Sequence, residues 1–346
     1  MEDIIDATGS VGSGNISTDM QVETQKGSSK LLGIASKVMP LVLAASAGGA
    51  TGGVMSNSLT ADSDNSHAIV NFVHKADASG SEMIVQNKDQ GIFNEVMRGS
   101  NEVQKAEARQ EVDMYKSKIA AKPGYMQEHQ VIPLKYKRQI EETALAYGIS
   151  KDTLMGIISV ENGGGEDILN KKSGALGVAQ FLPATARQYG LHVNSEFDER
   201  KNAPKSIAAA GSYLEDNKAL FGGNEGMAIW SYHAGPGIVA RALRVYFLDV
   251  NGEDIKDYGE AIGNNDPVAS AKIVDDMKRL IKKDNLNVYQ LLHNKKVQEE
   301  VISGLDDYSG EYVAQVLAAA ELLKENAGNS VNLPGGLKIS VASSPH

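Results

Sequence analysis

The sequence has no cysteine, which excludes disulfides and thiolate metal sites. Its 7 histidines, at 67, 74, 129, 192, 233, 293 and 346, show no HExxH-like pairing. We therefore expect neither a metal site nor a cofactor. Positive charge is also short: the net charge is −10. That argues against nucleic acid as the main ligand, although a local basic patch stays open. The opening MEDIIDATGS is acidic and contains Gly and Ser, where a secretion signal is basic and then apolar. GSVGSG near residue 9 lacks the lysine and hydroxyl pair of a phosphate-binding loop, so it reads as linker. No internal repeat recurs at a fixed period. Long hydrophobic runs are nearly missing too. The exception is VMPLVLAASAGGATGGVM, residues 38–55, which is uncharged and follows Lys30 and Lys37. It is barely long enough to span a bilayer. Gly48/Gly52 and Gly49/Gly53 give it small-xxx-small spacing. It is a candidate for membrane contact, with a linker or a partner-covered segment as the alternative.

What is present suits folded structure. Hydrophobic residues are 42% and charged residues 23% of 346 residues, enough for two or three domains or for one with long extensions. Residues 1–30 are polar and low in apolar content, as in flexible or partner-dependent segments. From about Gly91 to Ala121 the pattern turns helical and charged. It is polar on most faces, which reads as a connector or a partner-binding helix. KPGY at 122–125 is a turn signal and marks a boundary, so residues 1–120 are expected to form a flexible N-terminal region. Residues 121–250 carry the signals of a compact helical domain, with helices expected near 134–147, 150–161, 183–189, 204–217 and 224–246. A short extended piece is expected within 174–182. Past NGED at 251–254, helical patterns return at 268–283 and 310–326, followed by loop and short-strand character. We read 251–346 as a helical C-terminal region for partner binding. The expected class is mainly α.

Within the central domain, Leu154, Ile157, Ile158 and Glu161 stand at i, i+3, i+4 and i+7. That is one face of a helix, so Glu161 points the same way as three aliphatic residues. Ser150 suits the N-cap, Asp152 the first turn and Gly163 the stop. A carboxylate on an apolar face has its charged form disfavoured, and a protonated glutamate is what a general acid requires. Taken alone, position and periodicity favour the plainer reading, a salt-bridged glutamate at a helix end.

Three further stretches matter. In SGALGVAQFLPATA, residues 173–186, Gly174 and Gly177 suggest tight backbone, and Pro183 with Thr185 opens a helix. Gln180 there is an amide between apolar residues, suited to a sugar amide or to a structural bond. In KNAPKSIAAAGSYL, residues 201–214, the face Ile207, Ala210, Gly211 and Leu214 allows close helix packing. In IWSYHAGPGIV, residues 229–239, AGPG forces a sharp turn before a helix. Tyr232 before that turn has its hydroxyl fixed either in a cleft or in the core.

Taken together, VENGGG, GALGVAQFLPATA and SYHAGPG resemble the lytic transglycosylases of the soluble Slt type. That family's pattern is an ESG-like glutamate motif, then GA-x-GL-x-Q-x-x-P-x-T, a helix ending in YL, and a YNAGPG-like turn. The matching positions are Glu161, then Gly174, Ala175, Gly177, Gln180, Pro183 and Thr185, then Tyr213 and Leu214, then Tyr232, Ala234, Gly235, Pro236 and Gly237. The resemblance covers about residues 135–250. The departures are Asn162 for serine, Ala179 for methionine, Ser206 for asparagine and His233 for asparagine.

The resemblance implies a lysozyme-like helical domain that cleaves the β-1,4 bond between N-acetylmuramic acid and N-acetylglucosamine in peptidoglycan. Glu161 would be the catalytic acid and then base. Gln180, Tyr232, Asn162 and His233 would contact substrate, and Tyr232 would orient the glutamate or the N-acetyl group. Glu166 and Asp167 read as solvated loop acids. The implied product is a 1,6-anhydro sugar. A goose-type lysozyme-like hydrolase and a non-catalytic structural component are the alternatives. The flanks around a central catalytic domain resemble a phage virion-associated enzyme, delivered to the host envelope or periplasm together with other virion or ejection proteins. A periplasmic enzyme of a secretion system is the alternative.

Overall fold

The computed structural model describes residues 91–121, 124–162, 164–305, 308–326, 330–332 and 338–340. The expectations for 1–90, including the apolar segment 38–55, and for Gly163 lie outside the described residues. The described chain is mainly α. Its helices are α1 (Ile92–Val96), α2 (Glu102–Ala121), α3 (Tyr125–Lys135), α4 (Lys137–Tyr147), α5 (Lys151–Glu161), α6 (Pro183–Gln188), α7 (Ala203–Leu220), α8 (Glu225–Ala234), α9 (Pro236–Asn251), α10 (Tyr258–Gly263), α11 (Pro267–Lys283), α12 (Val288–Leu292), α13 (Lys295–Glu300) and α14 (Tyr312–Glu325). Near the C-terminus, β1 (Ser330–Asn332) and β2 (Lys338–Ser340) pair antiparallel, Val331 opposite Ile339. No helix among the described residues is long and apolar enough to cross a membrane.

The sequence expects helix near 224–246 with a sharp turn at AGPG, and two helices, α8 and α9, meet at that turn. Gly235 adopts φ +83° and ψ 149°, and Pro236 supplies no amide hydrogen at the start of α9. The piece expected within 174–182 is held by isolated bridges, Leu169 to Leu176 and Leu176 to Phe181, rather than by a strand.

Two larger corrections concern the flanks. The helix expected as a polar connector is half core. Ala108, Val112, Tyr115 and Ile119 form one buried face of α2 against α14. Around that face, Arg109 bonds Glu321 at 2.6 Å and Lys116 reaches Glu325 at 2.5 Å. Four apolar residues at helical spacing are enough to bury one side, however charged the others are. Residues 251–326 are likewise not a unit apart from the central domain. One continuous hydrophobic core runs from Ile92 to Leu322, across both expected boundaries.

The contact that matters most for the site is between α5 and α14. They run antiparallel and approach closely at Gly156. A Cβ there would lie 2.6 Å from the Val316 carbonyl oxygen and 3.2 Å from the Ala320 methyl. Glycine on α5 and alanine on α14 bring the two backbones together. Gly156→Ala is expected to cost about 1–3 kcal/mol through overpacking, outweighing the roughly 0.5–1 kcal/mol that alanine gains in a helix. A thermal melt checks this, and an unchanged or raised Tm would contradict the tight crossing.

Candidate active site

The site begins with how α5 starts and stops. The Ser150 hydroxyl accepts a bond from the Thr153 amide at 3.2 Å, the expected N-cap. Leu154, Ile157 and Ile158 are fully buried. The helix ends at Glu161 because Asn162 takes over its last carbonyls. The Asn162 Nδ2 donates to Ile158 O at 2.6 Å, Ser159 O at 3.1 Å and His129 O at 3.0 Å. Its Oδ1 accepts from the Gly164 amide at 2.8 Å. Asn162 is fully buried. Its expected role as a substrate contact is therefore corrected: the side chain shapes the loop after the glutamate and presents no atom to a ligand.

Glu161 itself emerges at the edge of the core with its side chain 10% exposed. Its Oε1 accepts a 2.6 Å hydrogen bond from the Tyr312 hydroxyl, at the first turn of α14. His233 Nδ1 stands 3.9 Å from the same oxygen. The His233 ring stacks on Tyr312, centroids 4.6 Å apart at 16°, and lies 4.5 Å from Tyr308. Burial first, and then the charge of Glu161, push the Tyr312 and Tyr232 phenols well above their ordinary value. Both stay protonated and act as donors.

Tyr232 does not donate to Glu161. Its hydroxyl bonds the Ala179 carbonyl at 3.0 Å, which ties the loop of residues 174–181 to α8. Gln180 sits in that loop with φ +47°, a strained value for a residue with a side chain. Its Nε2 donates to Ile168 O at 2.8 Å and Gly177 O at 2.9 Å. The amide nitrogen is thus committed, and the carbonyl oxygen is the atom left to meet a ligand. Gly177 has φ +84°, and a Cβ there would lie 2.0 Å from the Arg200 carbonyl oxygen. Only glycine fits.

Sequence reasoning brings Glu161, His233, Gln180 and Tyr232 to one region, and it misses two residues. Tyr312 is the first. It shares an apolar face with Val316 and Leu323 on α14. A phenol on an aliphatic helical face was the available signal, of the same kind as Glu161 on α5. Arg200 is the second. It is 6% exposed, is ion-paired with Asp198 at 2.7 Å, and its Nη1 donates to the Gly174 and Phe181 carbonyls at 2.8 and 2.9 Å. It pins both ends of the loop that carries Gln180. Nothing in the local pattern DERK distinguished it from a surface arginine. Ser206, where the resemblance has asparagine, is buried and bonds Arg200 O at 2.9 Å, so that departure is structural.

Glu166 is also corrected. It is half-buried, bonded by Lys135 and by the Tyr136 hydroxyl at 2.8 Å. Against the upward push of burial, these bonds hold its carboxyl below the ordinary value. Asp167 is exposed, as expected. Among the described residues, no group of three or more His, Asp or Glu is arranged to hold a metal.

If Tyr312 orients the reacting carboxyl, Tyr312→Phe should lower kcat by about tenfold to a hundredfold, the range for a lost hydrogen bond to a charged group. KM should hardly move. A fall in kcat/KM carried by KM alone would contradict the positioning role.

Comparison with known proteins follows this geometry. Residues 138–247 match the family model for the Transglycosylase SLT domain. The Membrane-bound lytic murein transglycosylase D of Escherichia coli (strain K12) is 30% identical over 70 residues, which cover 20% of this chain and 16% of that protein. The Endo-type membrane-bound lytic murein transglycosylase A of Klebsiella pneumoniae subsp. pneumoniae is 26% identical over 147 residues, 38% of this chain and 72% of that protein. A solved inactive mutant of lytic transglycosylase Slt from Pseudomonas aeruginosa gives a TM-score of 0.35 at 17% identity, covering 64% of this chain and 30% of that one. The chain thus spans about a sixth of the length of the first of these relatives, matching 16% of it.

Proposed function

We propose that this chain, whose residues 138–247 form an Slt-type lytic transglycosylase domain, cleaves the β-1,4 bond between N-acetylmuramic acid and N-acetylglucosamine in peptidoglycan. The observation that carries the reading is the carboxyl of Glu161, placed at the rim of an apolar core and bonded by the buried Tyr312 hydroxyl at 2.6 Å. Protonated Glu161 gives its proton to the glycosidic oxygen as the bond to C1 breaks. The carbonyl oxygen of the neighbouring N-acetyl group closes on C1, the substrate-assisted exception to the two-carboxylate scheme. Glu161, now a carboxylate, takes the proton of the muramic 6-hydroxyl, and O6 displaces the N-acetyl oxygen from C1. The product is a 1,6-anhydro sugar, and no water is consumed. Tyr312 keeps Glu161 aimed through both proton transfers. Gln180 offers its carbonyl oxygen, and His233 its ring edge, to sugar amide and hydroxyl groups.

The finer biological reading is a phage virion protein that opens the host wall locally during genome delivery. It is supported by the absence of cysteine and by a matched domain flanked on both sides by long additional chain. If it holds, purified particles contain the chain; its presence in the producing cell but not in particles overturns it.

The chemistry is tested by incubating the full chain with purified peptidoglycan and weighing the released muropeptides by mass spectrometry. Anhydro ends, lighter by one water, are expected. Reducing ends would make the protein a goose-type hydrolase. No release would leave a structural role.

A further inference from the structure

Tyr308 takes no part in the proton transfers at Glu161, yet it is the outer member of a layer of three rings beside that carboxyl. Its ring lies 4.5 Å from His233 and 6.2 Å from Tyr312, tilted by 31° to each. His233 and Tyr312 are 4.6 Å apart at 16°. Tyr312 closes the inner end of the layer and is fully buried, whereas Tyr308 is 42% exposed. Glu161 and His233 each keep part of the side chain in contact with solvent. Carboxyl, imidazole and phenol therefore form a row of solvent-touching groups, with Tyr308 at its open end.

Core packing does not explain a tyrosine there. Among the described residues, Tyr308 and Phe197 are the exposed aromatic side chains, and Tyr308 is the one beside the reacting carboxyl. The backbone under the ring is fixed. Tyr308 O accepts from the Glu311 amide at 2.9 Å, and the next residue, Ser309, is buried. With its backbone fixed and His233 packed against it, the ring has little freedom left to lose when a ligand arrives.

The chemistry of the ligand follows from the ring. An aromatic face is electrically negative and apolar. One face of a pyranose presents C–H groups, slightly positive and without hydrogen-bonding atoms, and such a face packs flat on an aromatic ring. The phenol hydroxyl at the ring's end can exchange hydrogen bonds with the sugar's hydroxyl groups.

We propose that the exposed side of the Tyr308 ring is a sugar platform that packs on a pyranose neighbouring the one cleaved at Glu161. The inference rests on the proposed action on peptidoglycan. It adds a substrate contact from outside the matched region 138–247. A platform under a sugar that does not react holds ground state and transition state alike, so its loss raises KM and spares kcat. Tyr312, one helical turn further on, bears on kcat instead.

Binding is measured first, without cleavage. The full chain carrying Glu161→Gln is titrated calorimetrically with peptide-stripped glycan strands. Adding Tyr308→Ser should weaken affinity by about tenfold, and Tyr308→Leu, which keeps apolar bulk without a ring, by a similar factor. Tyr308→Phe keeps the ring and should stay within about threefold of its parent. In the chain that retains Glu161, Tyr308→Ser should raise KM for the same strands by about tenfold, with kcat changed less than about twofold and the melt unaltered. Equal affinity in the Ser and Leu variants and their parent overturns the platform, as does a parent that binds no strands. A loss carried by kcat, or one that accompanies a lowered Tm, also overturns it, because Tyr308 would then only buttress His233. Muropeptide release by the unaltered chain reports on the lytic reading separately: release together with unchanged strand binding in the variants removes the platform and leaves that reading standing.

Discussion

Glu161→Gln should abolish muropeptide release while the protein melts as before. General acid–base transfer contributes roughly 10²–10⁴-fold, and in the proposed mechanism one side chain performs both transfers. A loss of at least about 10³-fold is expected, most of it in kcat. The fold should survive because the change is isosteric. The amide oxygen can still accept the hydrogen bond that the Tyr312 hydroxyl donates to Glu161 at 2.6 Å. The control decides the meaning: a variant with full activity ends the proposal, and a variant that loses both activity and cooperative melting says nothing of chemistry. Circular dichroism melts beside the digestion assay tell these apart.

A fragment of residues 121–250 should fail to fold, although it contains the whole family match at 138–247. It lacks α14, which buries Tyr312, Val313, Val316, Leu317, Leu322 and Leu323. At roughly 1.5–3 kcal/mol for each large apolar side chain, that burial equals or exceeds the net stability of a domain, about 5–15 kcal/mol. Removing α14 also uncovers α5 along the Gly156 crossing and takes away the donor to Glu161. A fragment of residues 91–326 keeps the whole continuous core and should melt cooperatively and cleave. Cooperative melting and turnover by 121–250 would show that α14 is dispensable.

These two expectations mark where the sequence was legible. Glu161 was readable because helix periodicity is local: three aliphatic residues within two turns fix the face it occupies. Gly177 and the Gly235–Pro236 break were readable because only certain residues tolerate such backbone. Gly211 was readable for a different reason, as the small residue of a close-packing helix face, and a Cβ there would lie 2.4 Å from the Thr143 side chain. Asn162 was misread. Its amide could serve a sugar or its own helix end, and which it does depends on carbonyls that local folding brings to it, including His129 O from α3.

By itself, then, the sequence determined a mainly helical chain, the acid at the end of α5, the loop that carries Gln180 and the turn after His233. Each depends on residues a few positions apart, where backbone geometry leaves few choices. The tertiary structure alone decided that residues far beyond the motifs belong to the same body. Tyr312 is 151 positions from Glu161, yet its hydroxyl is bonded to that carboxylate. No periodicity reaches across such a separation. The contact exists because Gly156 and Ala320 let two helix backbones come close, and that closeness is a property of packing in the whole core.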